Sequence, residues 1–263
     1  MRWIVLQLSL GGQRHMMNVP MRLRAAIFVA LLCCCACKPP EESQAKAIIG
    51  AILIDGRGGP PLSDSTVVMA GDRILAAGPR TVVSVHPQAS RIDGSGKYIV
   101  PAFVDVSAGR EIPRISTLAE VEKQVSDGAM VLIGMIRDTT TLDPEFVSRM
   151  RDLRVTFAPA LSTLQPASAD LAAASANTKT LFAAGVPIAV AAEGHDFVHE
   201  CELLVQAGVP PLDTIVAATR NGAVALHQDS ARGTIEPGKD AGVLLLSANP
   251  GDDIRNLRQT VSY

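Results

Sequence analysis

The chain has 263 residues, is 48% hydrophobic and carries a formal net charge of only -2. With neither a basic patch nor an acidic tail, this balance argues against nucleic acid as a partner. Aromatic residues make up 3% of the chain, too few for a platform that stacks bases or sugars.

Residues 1–37 read as a secretory signal. Arg22 and Arg24 precede an apolar run over residues 25–32, followed by Cys33, Cys34, Cys35, Ala36 and Cys37. A positive region, a short apolar core and small residues have the layout of an export signal, and the core is too short to span a bilayer as a mature helix. Ala36 directly before Cys37 resembles the end of a bacterial lipoprotein signal, although Cys34 stands where Leu is usual. Cys37 is therefore the expected lipidation site. The competing reading is an uncleaved N-terminal membrane anchor. Met21 is a natural start, which would leave residues 1–20 untranslated or as an extension of the signal. Residues 38–46, beginning Lys38-Pro39-Pro40, read as a solvated tether. The expected location is the bacterial cell envelope, on the periplasmic side, lipid-anchored at the outer membrane. After cleavage only Cys37 and Cys201 remain. With Cys37 lipidated no intramolecular disulfide forms, and the core must hold the fold.

Residues 47–100 read as short strands over 47–54, 66–69, 73–77 and 91–93, separated by Gly- and Asp-containing turns. Residues 98–106 form the next apolar run. Thr117-Leu118-Ala119-Glu120 is a capping-box pattern, and Leu118, Val121 and Val125 then share one helix face. Gly128 is placed to end that helix. Residues 130–136 are a continuous apolar strand. Asp143 caps the next helix with Pro144 in its first turn, and Phe146, Met150 and Leu153 are its expected buried side. Strands follow over 155–160 and 186–191, with an Ala-rich helix between them that stops at Gly185. Val198, Cys201, Leu204 and Val205 mark a helix, and Leu212, Ile215, Val216, Thr219, Ala223 and Leu226 mark another. Pro210 stands where a Ser or Thr would usually cap that last helix. Residues 233–235 and 243–246 return to strand. Continuous apolar strands alternating with helices predict a parallel sheet covered on both faces.

Three stretches together resemble a known family. The first runs from Ile54-Asp55-Gly56-Arg57-Gly58 through Gly71-Asp72-Arg73-Ile74 to Pro101-Ala102-Phe103-Val104-Asp105. The second runs from Arg137-Asp138 to Ala158-Pro159-Ala160-Leu161. The third runs from Ala184-Gly185-Val186 through Ala217-Ala218-Thr219-Arg220-Asn221 and Gly233-Thr234-Ile235-Glu236-Pro237-Gly238-Lys239 to Asn249-Pro250. They look like the amidohydrolase superfamily, in particular its imidazolonepropionase-like and prolidase-like members. The resemblance implies an α/β fold with a metal-bearing (β/α)₈ barrel and a small β-sandwich built from both chain ends. It also implies hydrolysis of C–N bonds in cyclic amides, amidines or dipeptides. A closed barrel needs eight strand-helix units, typically ~250 residues, and about four can be counted here. The expected architecture is therefore a partial (β/α) barrel over 101–228, with the sandwich split between 47–100 and 229–263.

The family's chemistry rests on a divalent metal that makes hydroxide near neutral pH and polarises the carbonyl. Its first strand ends Asp-x-His-x-His. Here the matching residues are Asp105-Val106-Ser107-Ala108-Gly109, so Ser107 and Gly109 occupy the histidine positions. A further family histidine falls at Gly134. The family's last strand ends in an Asp that is both ligand and general base, and here Glu193 takes its place, one methylene longer. A displacement near 1 Å in a positioned base can lower the rate about 100-fold. Ser107, Gly109 and Gly134 are thus degenerate ligand positions, and Glu193 is the remaining catalytic candidate.

His195 and His199 sit at i and i+4 with Glu200 and Glu202 beside them. That spacing is used by His-Glu-x-x-His zinc helices, where both imidazoles share one face, but Asp196 replaces the Glu. The competing reading is a loop running into the helix after the last strand. His86 and His227 are isolated, and Cys201 on an apolar face reads as an inert buried thiol.

The expected function is an amidohydrolase-related lipoprotein that has lost its metal ligands, a pseudoenzyme. A metal-dependent hydrolase using Glu193, His195 and His199, with zinc as cofactor and a small-molecule substrate, is one alternative. A partner-binding module of the envelope is another. An open half-barrel leaves sheet edges unpaired, which favours a homo-oligomer.

Overall fold

The computed structural model describes residues 44–108, 114–139 and 142–262. Cys37 and Gly109 lie outside these residues. Among the described residues no helix is long and apolar enough to cross a membrane.

The first half of the fold is a six-stranded sheet of β1 (Lys46–Leu53), β2 (Leu62–Ala70), β3 (Arg73–Pro79), β4 (Ser90–Asp93), β5 (Tyr98–Pro101) and β9 (Val243–Leu246). The order is β3-β2-β1-β5-β9, and β4 also pairs with β1. β1 serves two partners on one side because it is bent. Lys46 to Ile49 run parallel to β4, whereas Ile52 and Leu53 run parallel to β5. The ladder with β2 slips at Ile49/Ala51 and again at Ala51/Leu53, and Gly50 supplies φ +83° at the bend. Such irregularities turn a strand without breaking its sheet. The N- and C-terminal parts of the described residues meet in this sheet, since β9 pairs antiparallel with β5. The sandwich anticipated for the two chain ends thus takes the form of one bent sheet.

The second half alternates strand and helix. Arg114–Ile115 (β6), Val131–Gly134 (β7) and Thr156–Pro159 (β8) form a parallel three-stranded sheet. Two further extended runs continue it without regular pairing. Ile188 bridges Phe157, and Val106 N donates to Val190 O at 3.1 Å. The 186–191 run is therefore an extended segment held by a bridge rather than a regular strand. The strand expected over 98–106 ends at Pro101, after which Ala102 N and Val104 N donate to Gly242 O and Ala218 O. Residues 233–235 are likewise turn, with Ile235 N donating to Asp55 O. The described residues form no closed sheet.

The helices follow their sequence signals. In α1 (Leu118–Ser126) Thr117 Oγ1 accepts from Glu120 N, and Glu120 Oε2 accepts from Thr117 N, which satisfies orphan donors at the helix start. Gly128, at φ +89°, turns the chain off its end. α2 (Pro144–Asp152) is capped by Asp143, but it buries Val147 and Met150. Leu153, expected on the buried side, is 44% exposed because it is already the C-cap, where the helical periodicity stops. α3 (Ala169–Ala183) is capped by Ser168. α4 (Phe197–Gln206) is capped by Asp196. α5 (Pro211–Val216) has no side-chain cap, as Pro210 implies. It runs through a π-turn (217–221) into α6 (Gly222–Ala225).

One core joins the two halves. Val100 and Leu246 from the mixed sheet belong to the same buried cluster as Val121, Leu132, Met150, Phe157, Leu181 and Leu204. Removing each such side chain from water contributes roughly 1.5–3 kcal/mol. A second, small-residue layer of Val106, Ala158, Ala160, Ala189 and Ala191 fills the space between the parallel runs and α6.

Candidate functional site

In open α/β sheets, ligand sites lie beyond the carboxyl ends of the strands. Here those ends bring together Asp105, Ser107, Arg114, Gly134, Leu161, Ser162 and Glu193. Asp105 Oδ1 accepts from Ser107 N (2.9 Å), Ser107 Oγ (2.6 Å) and Ala192 N (3.2 Å). Ser107 Oγ in turn accepts from Glu193 N at 3.1 Å. The hydroxyl thus ties the end of the first run to the end of the last.

Glu193 sits at φ +50°, an uncommon conformation for a residue with a Cβ, and Gly194 follows at +82°. This tight turn, closed by His195 N donating to Ala192 O at 2.8 Å, aims the carboxylate back toward β6. There Glu193 Oε1 lies 2.9 Å from Arg114 Nη2. The oxygen is buried without a hydrogen bond, so the contact is an ion pair without hydrogen-bond alignment.

Gly134 has no space for a side chain. Its φ is +135°, and a Cβ there would lie 2.1 Å from Ile115 O and 2.9 Å from Ile115 N. β6 runs through the space where a side chain at this position would begin.

After β7, Asp138 Oδ2 accepts from Leu118 N at 2.7 Å, adding to the α1 cap. Asn177 Nδ2 from α3 donates to Ile136 O and Asp138 O. The Arg137-Asp138 stretch is therefore fixed by two helices, with Arg137 Nη1 3.3 Å from Asp170 Oδ2.

Glu200 had no role in the sequence reading, yet it is the fully buried carboxylate of this end of the fold. Oε1 accepts from Leu161 N and Oε2 from Ser162 N, both at 2.8 Å, so α4 reaches across to fasten the turn after β8. Burial pushes its carboxyl up to about 7, and the Asp105 charge adds to the rise, while the backbone donors of Ser162 and Leu161 oppose it. A signal was available. Glu200 falls on the i, i+3, i+4, i+7 stripe of Phe197, Cys201 and Leu204, where a charged residue needs partners. Cys201 beside it is buried, and burial raises its thiol well above the usual range, which keeps it unreactive.

His195 and His199 do not share a helix face. α4 begins at Phe197, so His195 lies in the preceding turn, exposed, before the Asp196 cap. Asp196 Oδ1 accepts from Val198 N and His199 N, and its Oδ2 lies 2.5 Å from Arg258 Nη1. The hydrogen bond from Arg258 holds the Asp196 carboxyl below the usual range. His199 is exposed, with Nδ1 3.9 Å from Glu202 Oε2. Asp196 is thus occupied as a cap and ion-pair partner. Among the described residues no three His, Cys, Asp or Glu side chains are grouped so that they could hold a metal ion.

The described residues do not fit a divalent metal at the strand ends. Ser107 spends its hydroxyl on Asp105 and Glu193 N, Gly134 offers no donor, and the Arg114 guanidinium already faces the Glu193 carboxylate.

The fold is similar to that of solved hydrolases of the amidohydrolase type, as the sequence motifs led us to expect. The chain is similar to molinate hydrolase, with a TM-score of 0.68 at 14% identity, covering 83% of this chain and 92% of that one. It is similar to a Xaa-Pro dipeptidase (0.58, 14% identity, 82% and 97% covered) and to an amidohydrolase from Thermotoga maritima (0.59, 11% identity, 82% and 96% covered). No protein-family profile matches the sequence. No curated protein matches it either.

Proposed function

We propose that this is a non-catalytic, lipid-anchored relative of the amidohydrolases, with a partial barrel whose strand ends have been rebuilt as structure. The supporting observation is the closed set of contacts at those ends. The Asp105 carboxylate, the Ser107 hydroxyl and the Ala192 and Glu193 backbone N–H groups satisfy one another, and Arg114 faces the Glu193 carboxylate as an ion pair, with Ser107 in a position where the family uses imidazole. Arg114 supplies the positive charge that Glu193 needs, and a permanently charged guanidinium neither activates water nor polarises a carbonyl as a Lewis acid does. Gly134 has no room for the third lost imidazole. On this reading the protein sits in the bacterial envelope through lipid on Cys37, and Glu193 is a structural remnant of the family's ligand and general base.

One preparation tests this. The full-length protein is purified from bacterial membranes in detergent, dialysed and assayed for metal per chain and for intact mass. We expect far less than one equivalent of zinc, manganese or iron, and a mass showing cleavage before Cys37 with fatty acylation. A near-stoichiometric metal that is lost in both Glu193→Gln and His199→Ala would overturn the non-catalytic reading in favour of a metal hydrolase. An uncleaved mass would overturn the lipid anchor in favour of an N-terminal membrane anchor.

A further inference from the structure

The 186–191 run has two ends. Glu193 lies just beyond one. At the other, a cavity of about 230 Å³ opens between the end of α3, the start of the run and the α5–π-turn segment. Taking ~30 Å³ per water, it has room for about eight waters. Its walls include Phe182, Val186, Ile188 and Val216, which are apolar, and also Asp213 and Arg220.

The two charged residues both line the cavity, Asp213 exposed and Arg220 half-buried. They are seven apart on one continuous helical path, about 10 Å along its axis. Helical side chains lean toward the N-terminus, so Arg220 leans over the turn of Val216 and Ala217, which lies between it and Asp213. Yet neither forms an ion pair among the described residues. Arg220 spends one bond, Nη1 to Arg57 O at 2.9 Å, which fixes the guanidinium and leaves its other donors for a ligand. The π-turn at 217–221 displaces Arg220 and Asn221 from the regular α register, and π-turns concentrate at ligand sites. Asn221 Nδ2 donates to Ile188 O at 2.8 Å, which frees its Oδ1 as a further acceptor on the wall.

We infer that this cavity binds a small zwitterion of the size and chemistry of an apolar free amino acid. The ammonium group is taken by Asp213, the carboxylate by Arg220, and the side chain by Phe182, Val186 and Val216. An opposite-charge ligand between two unpaired charges gains charge-assisted hydrogen bonds at both ends, and Arg recognises a carboxylate with a matched fork. This site is independent of the proposed loss of catalysis, because it shares no residue with the strand ends.

The test is calorimetric titration of the full-length protein with L-leucine, N-acetyl-L-leucine and L-leucinamide, each up to about 10 mM. For nine heavy atoms in a semi-open site we expect a dissociation constant of roughly 0.1–1 mM for L-leucine. Blocking either charge of the ligand should weaken binding about ten-fold. Asp213→Asn should weaken L-leucine about ten-fold and abolish the preference for L-leucine over the acetylated form, while leaving the preference over the amide intact. Should Arg220→Gln lose its fold with its bond to Arg57, Asp213→Asn and the two blocked ligands still decide the matter. Absence of saturable L-leucine binding overturns the proposal, as does binding that neither the blocked ligands nor Asp213→Asn alters.

Discussion

Glu200 shows how one side chain can make this fold sensitive to pH. Its carboxyl stands at about 7 in the folded chain against 4.5 ordinarily, because burial disfavours the charge. The folded state therefore holds this proton more tightly than the unfolded state. Stability from this group is fully present below about pH 4.5 and is lost as pH rises toward 7, by about 3 kcal/mol in all. Urea unfolding at pH 5 and pH 8 should show that loss in the native chain. In Glu200→Gln the difference between the two pH values should shrink by most of that amount. Gly134 is the second such residue. A methyl group there would meet the Ile115 carbonyl at 2.1 Å in a backbone conformation that disfavours any Cβ. Gly134→Ala should lower stability by ~2–4 kcal/mol in the same measurement. Neither role was assigned from the sequence, although the apolar stripe around Glu200 carried a signal for it. Glu200 was hidden among the charges near His199, and Gly134 was read as a lost ligand, because β6 offers only two residues and no apolar pattern to announce it.

At the scale of elements, the strongest sequence signals were those with local causes. The Thr117–Glu120 box, Gly128 and the Asp143-Pro144 pair act within one helix turn, and each is where it was expected. What the sequence left open depends on distant partners. The His195–His199 spacing suggested one helix face, but Asp196 caps the helix between them and is held by Arg258 from the C-terminal segment, 62 residues on. The bend in β1 is set by its having two neighbours, which no local pattern specifies. Asp196→Ala removes both the cap and the Arg258 partner. The cap alone is worth ~1 kcal/mol. We expect a fall of about 1–2 kcal/mol in thermal unfolding, with residues 197–201 losing hydrogen-exchange protection first.

Across the whole molecule, the two sheets are parts of one cooperative body. Leu246 of β9 and Val100 of β5 pack in the same cluster as Leu132 of β7 and Phe157 of β8. Leu246→Ala should therefore lower stability by about 2–5 kcal/mol. Hydrogen exchange in 46–53 and in 131–134 should rise together. Faster exchange confined to 46–53 would show instead that the bent sheet unfolds alone. The alternation of strand and helix was legible across this body because each run carries its own apolar pattern. The order of the mixed sheet was not, since it joins residues from both ends of the sequence.

The passage of β6 beside Gly134 also bears on ancestry and on repair. Suppose this chain descends from a metal-binding barrel and that someone wished to reverse the descent. Histidines could be written back at 107 and 109 one codon at a time. At 134 the reversal would first have to evict a strand, because the Ile115 backbone already fills the space of the first side-chain atom. On that supposition, a side chain at 134 and the present course of β6 exclude one another. A single substitution at 134 therefore meets backbone rather than open space, and β6 has to move before any side chain fits there.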